Sequence, residues 1–408
     1  MSEYDRSQFD RDGLDALTEP VGYPYSQTVT NPYLVRVLDA DLNYIGAIKR
    51  YTYFGWSARY YDVDSFTLKI NTAEEYTDLL KIGNWIVYDA GFRAYIGRIE
   101  NAVYSLDTDS RKEMLEISGR DVTGAFGSPG RILLAGTDTG TGYDNQTSVA
   151  AETAIRHYVD VNCISATDVS RNYPHLTLQT DFERGAVISV SGRFDILLDK
   201  VSEICKATGL GFGSDFVADP DTNAAYIEFV ILSGSDHTYD SVMPVMFSPK
   251  FNNLKSFTLT KSAVDSGTLA YVAGQGEAAA RTVEEVYVAS SEPTGFGRRE
   301  IFKDRRDSDD TDELITAGQA ELRVSSIETS ISAEILASGA FEYGTDYMLG
   351  DIVSLIYRDE IYDVRVVEVL EEITTKNKKD VTLTLGKPLS TLSKYVQEST
   401  AAGPGARQ

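Results

Sequence analysis

The sequence predicts an α+β fold that is mainly β, with a compact α+β unit placed between two antiparallel β regions. Three observations carry this prediction. Runs that alternate with period two, such as Phe66-Thr-Leu-Lys-Ile70 and Val381-Thr-Leu-Thr-Leu385, occur toward both ends of the chain. Turn residues separate such runs at short spacing, the pattern of an antiparallel sheet or barrel. Helical spacing of apolar residues is concentrated in the middle of the chain, where it marks amphipathic faces.

Residues 1–31 are polar and, with Pro20, Pro24 and the adjoining Pro32, show no periodicity, so they read as an extended N-terminal arm. Residues 32–135 form the first β region. Val35, Val37 and the run 44–48 flank Asp39-Ala-Asp-Leu-Asn43, whose Asp and Asn suit a hairpin turn. Phe66–Ile70 is a half-buried strand. Trp85-Ile-Val-Tyr88 and 94–99 follow the turn glycines Gly83 and Gly91, and 114–118 closes the series.

Residues 136–250 form the middle unit. A glycine-rich loop at 136–142 leads into a helix whose inner face is Ala151, Ala154, Ile155 and Tyr158. A second helix carries Phe194, Leu197, Leu198, Val201, Ile204 and Cys205 on one face, with Gly209 where a left-handed C-terminal cap belongs. An apolar strand follows at 226–232. Residues 251–395 return to strands at 257–260, 268–273, 283–288, 331–335, 352–356, 364–370 and 381–385. One helix interrupts them, begun by the capping-box pattern Asp310-Thr-Asp-Glu313 and faced inward by Ala317, Ala320, Val324 and Ile327. Residues 396–408 are small and polar and read as a disordered tail.

The net charge of -24 argues against a nucleic-acid-binding surface, which needs clustered Lys and Arg to neutralise phosphates. Such charge keeps a protein soluble and lets polyanions pass without sticking. Asp exceeds Glu and Arg exceeds Lys, a bias that fits a high-salt host such as a halophilic archaeon, although an ordinary phage protein also reaches it. No apolar run approaches the roughly 20 residues of a membrane-spanning helix. The opening residues show no basic and apolar leader pattern. Cys163 and Cys205 lie in helix-like apolar patterns and read as buried thiols, with a disulfide between them left open.

The segment 271–307 offers two incompatible readings. Gly274-Gln-Gly276-Glu-Ala-Ala279 after an apolar run imitates a dinucleotide-binding turn. That motif needs a helix opening at the glycines, because the helix N-terminus holds the pyrophosphate. Here the chain returns at once to Thr282-Val-Glu-Glu-Val-Tyr-Val288, a strand composition, so the glycines read as a corner between two strands of a barrel wall. No nucleophile elbow, phosphate loop or paired Cys-x-x-Cys occurs. His157, His175 and His237 lack ligand spacing. The acidic run Asp304, Asp307, Asp309, Asp310, Asp312 and Glu313 lacks the turn glycine of a calcium loop and reads as a solvated loop whose last acids cap a helix. Lys376, Lys378 and Lys379 form a basic hairpin tip. No catalytic, cofactor-binding or metal-binding residue is nominated. The 25 tyrosines suit subunit interfaces, where Tyr offers area with a polar handle.

Taken in order, several segments resemble the ReqiPepy-type tail protein family of siphoviruses. They include Tyr44-Ile-Gly46, Trp56-Ser57, Phe66-Thr-Leu68, Leu80-Lys-Ile-Gly83-Asn-Trp-Ile86 and Ile117-Ser-Gly-Arg-Asp121 with Arg131-Ile132. They continue through Ala154-Ile-Arg-His-Tyr-Val-Asp160, Arg171-Asn-Tyr-Pro174, Gly192-Arg-Phe-Asp-Ile-Leu-Leu198 and Gly209-Leu-Gly-Phe212. The segment 271–307 and Tyr347-Met-Leu-Gly-Asp-Ile-Val353 with 364–369 complete a set spanning roughly residues 33–390. The resemblance implies a tail-tip or baseplate hub in the virion, synthesised in the host cytoplasm. It further implies two tube-like β-barrels per subunit, with the α+β unit inserted, and a homotrimer forming a pseudo-sixfold ring. The ring would join the distal tail protein to the tip, meet the tape-measure protein and a tail fibre or receptor-binding protein, and pass viral DNA in transit. It would insert stably in no membrane. Two rival functions are a glycan- or peptidoglycan-cleaving tail enzyme and a receptor-binding adhesin.

Overall fold

The computed structural model describes residues 33–386, apart from 109–110, 135–141, 219–224, 278–279, 307–309, 326–327, 336–339, 359 and 375–378. The expected arm at 1–31, most of the glycine-rich loop at 136–142 and the tail at 396–408 lie outside the described residues.

The first β region holds β1 (Val35–Leu38), β2 (Tyr44–Ile48), β3 (Tyr53–Arg59), β4 (Ser65–Asn71), β5 (Trp85–Asp89), β6 (Ala94–Asp107) and β7 (Lys112–Arg120). The β1–β2 turn forms as its residues dictate: an Asp39 carboxylate oxygen accepts from the backbone N–H of Asp41 and of Asn43, each at 2.9 Å. Strand β4 alternates buried and half-buried residues along its length. Strand β6 runs well beyond the expected 94–99.

The middle unit follows with β8 (Asp144–Ala150), α1 (Ala151–Cys163), β9 (Leu176–Leu178), β10 (Val187–Gly192), α2 (Leu197–Thr208), β11 (Gly211–Ala218) and β12 (Ala225–Leu232). Strands β8 and β10 pair, and β11, β12 and β9 form a three-stranded sheet. The predicted inner face of α1 is buried throughout, and Leu197, Val201, Ile204 and Cys205 of α2 are buried with it. Gly209 caps α2 in the left-handed conformation, at φ 77°. Phe194 departs from expectation. It precedes the helix, has φ 59° and is exposed, because the chain turns into the helix only at Ile196. The core of this unit also takes in Leu38, Val87 and Ile96 of the first β region, so the two are packed together.

The last region holds β13 (Asp236–His237), β14 (Met246–Phe247), β15 (Leu254–Ser262), β16 (Leu269–Ala273), β17 (Val283–Val286), β18 (Glu300–Asp304), α3 (Thr311–Val324), β19 (Glu328–Ile335), β20 (Ile352–Tyr357), β21 (Glu360–Thr374) and β22 (Lys379–Gly386). Strands β17, β16 and β18 stand apart as a small sheet, covered on one face by α3. This corrects the expectation that they belong to a barrel wall. Ala270, Val272 and Val286 bury themselves against Leu314, Ala317 and Leu322 of the helix, which gives their face a local partner. Of the predicted inner face Ala317 is buried, joined by Leu314 and Leu322, and Ile327 lies outside the described residues.

The remaining strands of the two β regions form one sheet of 14 strands, in the order β15-β19-β22-β21-β3-β4-β7-β6-β5-β1-β2, with β20 on β21 and both β13 and β14 on β20. The regions meet where Val369, Glu371 and Ile373 of β21 pair with Ala58, Trp56 and Phe54 of β3. Among the described residues no pairing closes either region into a barrel.

The sheet contains the same unit twice. The strand order β3-β4-β7-β6-β5 recurs as β15-β19-β22-β21-β20. Gly83 and Gly350 both have φ 97° at the approach to the third strand of each unit. Gly83 N–H donates to the Ile99 carbonyl at 2.9 Å, and Ile99 N–H donates to that of Asn84 at 2.8 Å. Gly350 and Val366 repeat this, with Val366 N–H on the Asp351 carbonyl and both bonds at 2.8 Å. A bulge lies between Ile99 and Asn101 in β6 and between Val366 and Glu368 in β21.

Candidate functional site

The strongest concentration of buried polar chemistry lies where the middle unit meets the first half-sheet. Asp64, in the β3–β4 turn, is 2% exposed and Asp121, at the end of β7, is 3% exposed. Asp64 accepts from the Arg59 backbone N–H at 2.7 Å and from the Trp56 indole N–H at 3.4 Å. Asp121 accepts from the Thr123 hydroxyl at 2.6 Å and, across the junction, from the Ser214 hydroxyl of β11 at 2.9 Å. Arg93, from the β5–β6 turn, donates to the Asp215 carboxylate and, at 3.3 Å, to the Ser214 carbonyl.

Burial pushes both carboxyls upward from the ordinary range, and the charge of Asp64 adds to the effect on Asp121. Burial also works against the Arg93 guanidinium, but Asp215, Tyr95 and Asp64 outweigh it and hold Arg93 protonated. The arrangement places two buried carboxyls and a paired guanidinium between two units. Its chemistry is that of attachment, since both acids face hydrogen-bond donors of the protein itself.

A second junction surrounds Tyr60, just past β3. Its hydroxyl points to the carbonyls of Gly209 and Leu232 at 2.9 and 3.2 Å and accepts from the Gly234 N–H at 3.2 Å. It thus touches the end of α2 and the chain leaving β12. A Cβ on Gly350 or Gly211 would overlap the Tyr60 ring.

Among the described residues, those singled out in the sequence lie apart from one another, each with its own partners. His157 bonds to Asp144 at 2.9 Å, and His237 bonds to the Met243 carbonyl at 2.8 Å and faces Asp351 at 3.5 Å. His175 lies at φ 61° before β9. Cys163 and Cys205 are buried free thiols, and burial raises both, Cys163 to about 12. Asp304 pairs with Arg281 and Arg306, and Asp310 caps α3 by accepting from the Asp312 N–H at 2.8 Å. Asp307 and Asp309 lie outside the described residues. Lys379 does not form part of an exposed tip: it pairs with Glu371, which is 1% exposed. Lys376 and Lys378 lie outside the described residues. Gly274 and Gly276 sit in the β16–β17 hairpin connection, with Gly276 at φ 103°, and Ala278 and Ala279 after them lie outside the described residues. Among the described residues no group of three or more His, Cys, Asp or Glu is placed to hold a metal ion.

The acids of the junction carried no sequence signal of their own. In a chain with 62 acidic residues only the tertiary contacts distinguish Asp64 and Asp121. The nearest cue was the run Ile117–Asp121, singled out for its resemblance alone.

The family model described as "Siphovirus ReqiPepy6 Gp37-like protein" matches residues 34–387. The chain belongs to that family. Its fold is similar to that of the 43 kDa tail protein of prophage MuSo2 from Shewanella oneidensis, at TM-score 0.56 and 13% identity, covering 87% of this chain and 98% of that one. It is also similar to a tail protein from Neisseria meningitidis MC58, at TM-score 0.51 and 13% identity, covering 88% and 99%. The prophage tail protein gp18 from Listeria monocytogenes EGD-e gives TM-score 0.50 at 13% identity, covering 90% and 98%. No curated protein matches the chain. Family and fold together support a structural role in a phage tail.

Proposed function

We propose that the protein is the hub of a siphovirus tail tip, a homotrimer that joins the distal tail ring to the tip and lines the path by which DNA leaves. The observation that carries this reading is the duplicated half-sheet. One chain holds two copies of a five-strand unit, so three chains present six copies of one surface to a sixfold neighbour. The net charge of -24 supports the DNA path, because an acidic lumen repels the polyanion and does not retain it. On this reading each five-strand unit forms part of a tube wall completed by neighbouring subunits.

The hub also contacts the tape-measure protein and a tail fibre or receptor-binding protein, and its acidic composition suits a high-salt host. No helix among the described residues is long and apolar enough to cross a membrane. The protein acts by assembly, without catalytic turnover. Electron microscopy of intact tails tests the reading, with three copies in a ring at the tip as the expected result. A monomer inside intact tails would refute it, as would hydrolysis of host envelope that is lost on a single carboxylate substitution.

A further inference from the structure

The two copies of the five-strand unit are joined by β3 on β21, and among the described residues no strand pairs with the two edges that would repeat this joint. Within the chain, β3 is the outer strand of the first unit. It pairs with the part of β21 beyond the bulge, while β20 occupies the same edge before the bulge. The counterpart of β3 is β15, which pairs only with β19 and ends the sheet among the described residues. The counterpart of the outer part of β21 is β6 beyond its own bulge. There β5 covers the edge only from Ala94 to Arg98, and no described strand covers it farther on.

The rungs of the two units set the equivalence. Phe54, Leu68, Ile117 and Ala102 lie in one row, and Phe257, Ala333, Leu383 and Val369 lie in the matching row. Carrying the internal joint across therefore places Lys261 opposite Ala102, Leu259 opposite Tyr104 and Phe257 opposite Leu106. The chemistry fits that register. Within the chain the equivalent core-facing positions are fully buried, with Phe54 and Ile373 at 0% and Trp56 at 1% exposure. At the open ends Tyr104 and Leu106 are 63% and 62% exposed, and Phe257 and Leu259 are only partly buried. A long exposed apolar strand edge invites pairing unless it is blunted, and this one carries no Pro or Lys in 101–106.

We propose that the outer half of β6 in one copy pairs antiparallel with β15 of a second copy, in the register used by β3 and β21 within the chain. The contact joins different surfaces of the two copies, and in the closed ring of the hub reading its repetition gives twice as many five-strand units as chains. This deepens the hub reading and rests on it only for the number of copies.

Cysteine pairs in the full-length chain test the proposal. Ser105 would face Thr258 on the side of the sheet away from the core, and directly opposed Cβ atoms lie about 4.5–5.5 Å apart. Oxidation of the S105C/T258C protein is expected to give a disulfide ladder between chains that stops at a closed ring, with buried Cys163 and Cys205 silent. The S105C/K261C protein pairs positions on opposite faces and is expected to give no ladder. L106D, at a site exposed in the single chain, is expected to keep the circular dichroism spectrum and weaken self-association at least about tenfold. A disulfide within one chain, an equal ladder from S105C/K261C, or unchanged association of L106D would overturn the proposed joint. Rings without the S105C/T258C ladder would overturn the joint and leave the hub, whereas monomers within intact tails would overturn both.

Discussion

Replacing Tyr60 by Phe removes one oxygen from the point where the end of α2 and the chain leaving β12 meet the first β region. The Tyr60 ring is retained, so no cavity forms and the large-to-small penalty does not arise. What is lost is the hydroxyl that faces the Gly209 and Leu232 carbonyls at 2.9 and 3.2 Å and accepts from Gly234 N–H at 3.2 Å. Leaving a buried polar group without its partner costs about 1–3 kcal/mol. A value near 2 kcal/mol corresponds to roughly 30-fold more frequent local opening. The chain has more than one core, so a single global unfolding energy is poorly defined and a local probe is preferable. Hydrogen exchange at the Gly234 amide supplies that probe, with an expected acceleration of roughly 10- to 100-fold in Y60F. Unaltered exchange there, together with a change below about 0.5 kcal/mol in denaturant stability, would refute the assignment of Tyr60 as the tie between the two units.

Two further outcomes follow from the packing. Asp121→Asn mimics the protonated acid that burial favours. The native pKa lies above the unfolded one, so the folded state holds the proton more tightly and native stability falls as pH rises through the native value. D121N should lose that slope and gain on the native protein by about 1.4 kcal/mol per pH unit from pH 5 up to the native value of about 7, with no further gain to pH 8, as read from denaturant midpoints. Phe54→Ala empties a fully buried site at the β3–β21 joint and should cost about 3–5 kcal/mol. Limited proteolysis of F54A should release the last β region first, and cleavage elsewhere would show that the joint is not where the halves separate.

Legibility in the sequence tracked the presence of a wet face. Strand β4 and the two helices of the middle unit each present one buried side, so their periods of 2 and about 3.6 appear in the residues. Strand β3 has five consecutive buried residues from Phe54 to Ala58, with Gly55 among them, and burial on both faces erases the alternation. The strand that joins the two halves was therefore among those that no pattern revealed. Strand β6 was read only as far as Ile99 because its bulge shifts the register immediately afterwards. The glycines at 274 and 276 were legible as a corner between two strands, but the membership of those strands in a separate sheet depends on α3, some thirty residues further on.

The duplication was equally hidden, and its chemistry explains why. Two units can share a backbone path while filling it with different side chains, because core volume and pattern constrain a sheet more than residue identity does. Phe54, Leu68 and Ile117 meet Phe257, Ala333 and Leu383 at equivalent places, with only the first position unchanged. Backbone requirements are less negotiable. Both units bend into their third strand at φ 97°, and both place Gly there, because other L-residues are strained in that conformation. The surroundings of the two glycines nevertheless differ: around Gly83 the nearest atom to an added Cβ is an Arg98 nitrogen at 3.9 Å, whereas Gly350 has the Tyr60 ring against it. Gly83 is thus required by conformation alone, and Gly350 by conformation and by the junction it packs against. The second copy of the unit thus forms part of the mount for the middle unit, because Gly350 packs against the same Tyr60 that holds the end of α2 and the chain leaving β12.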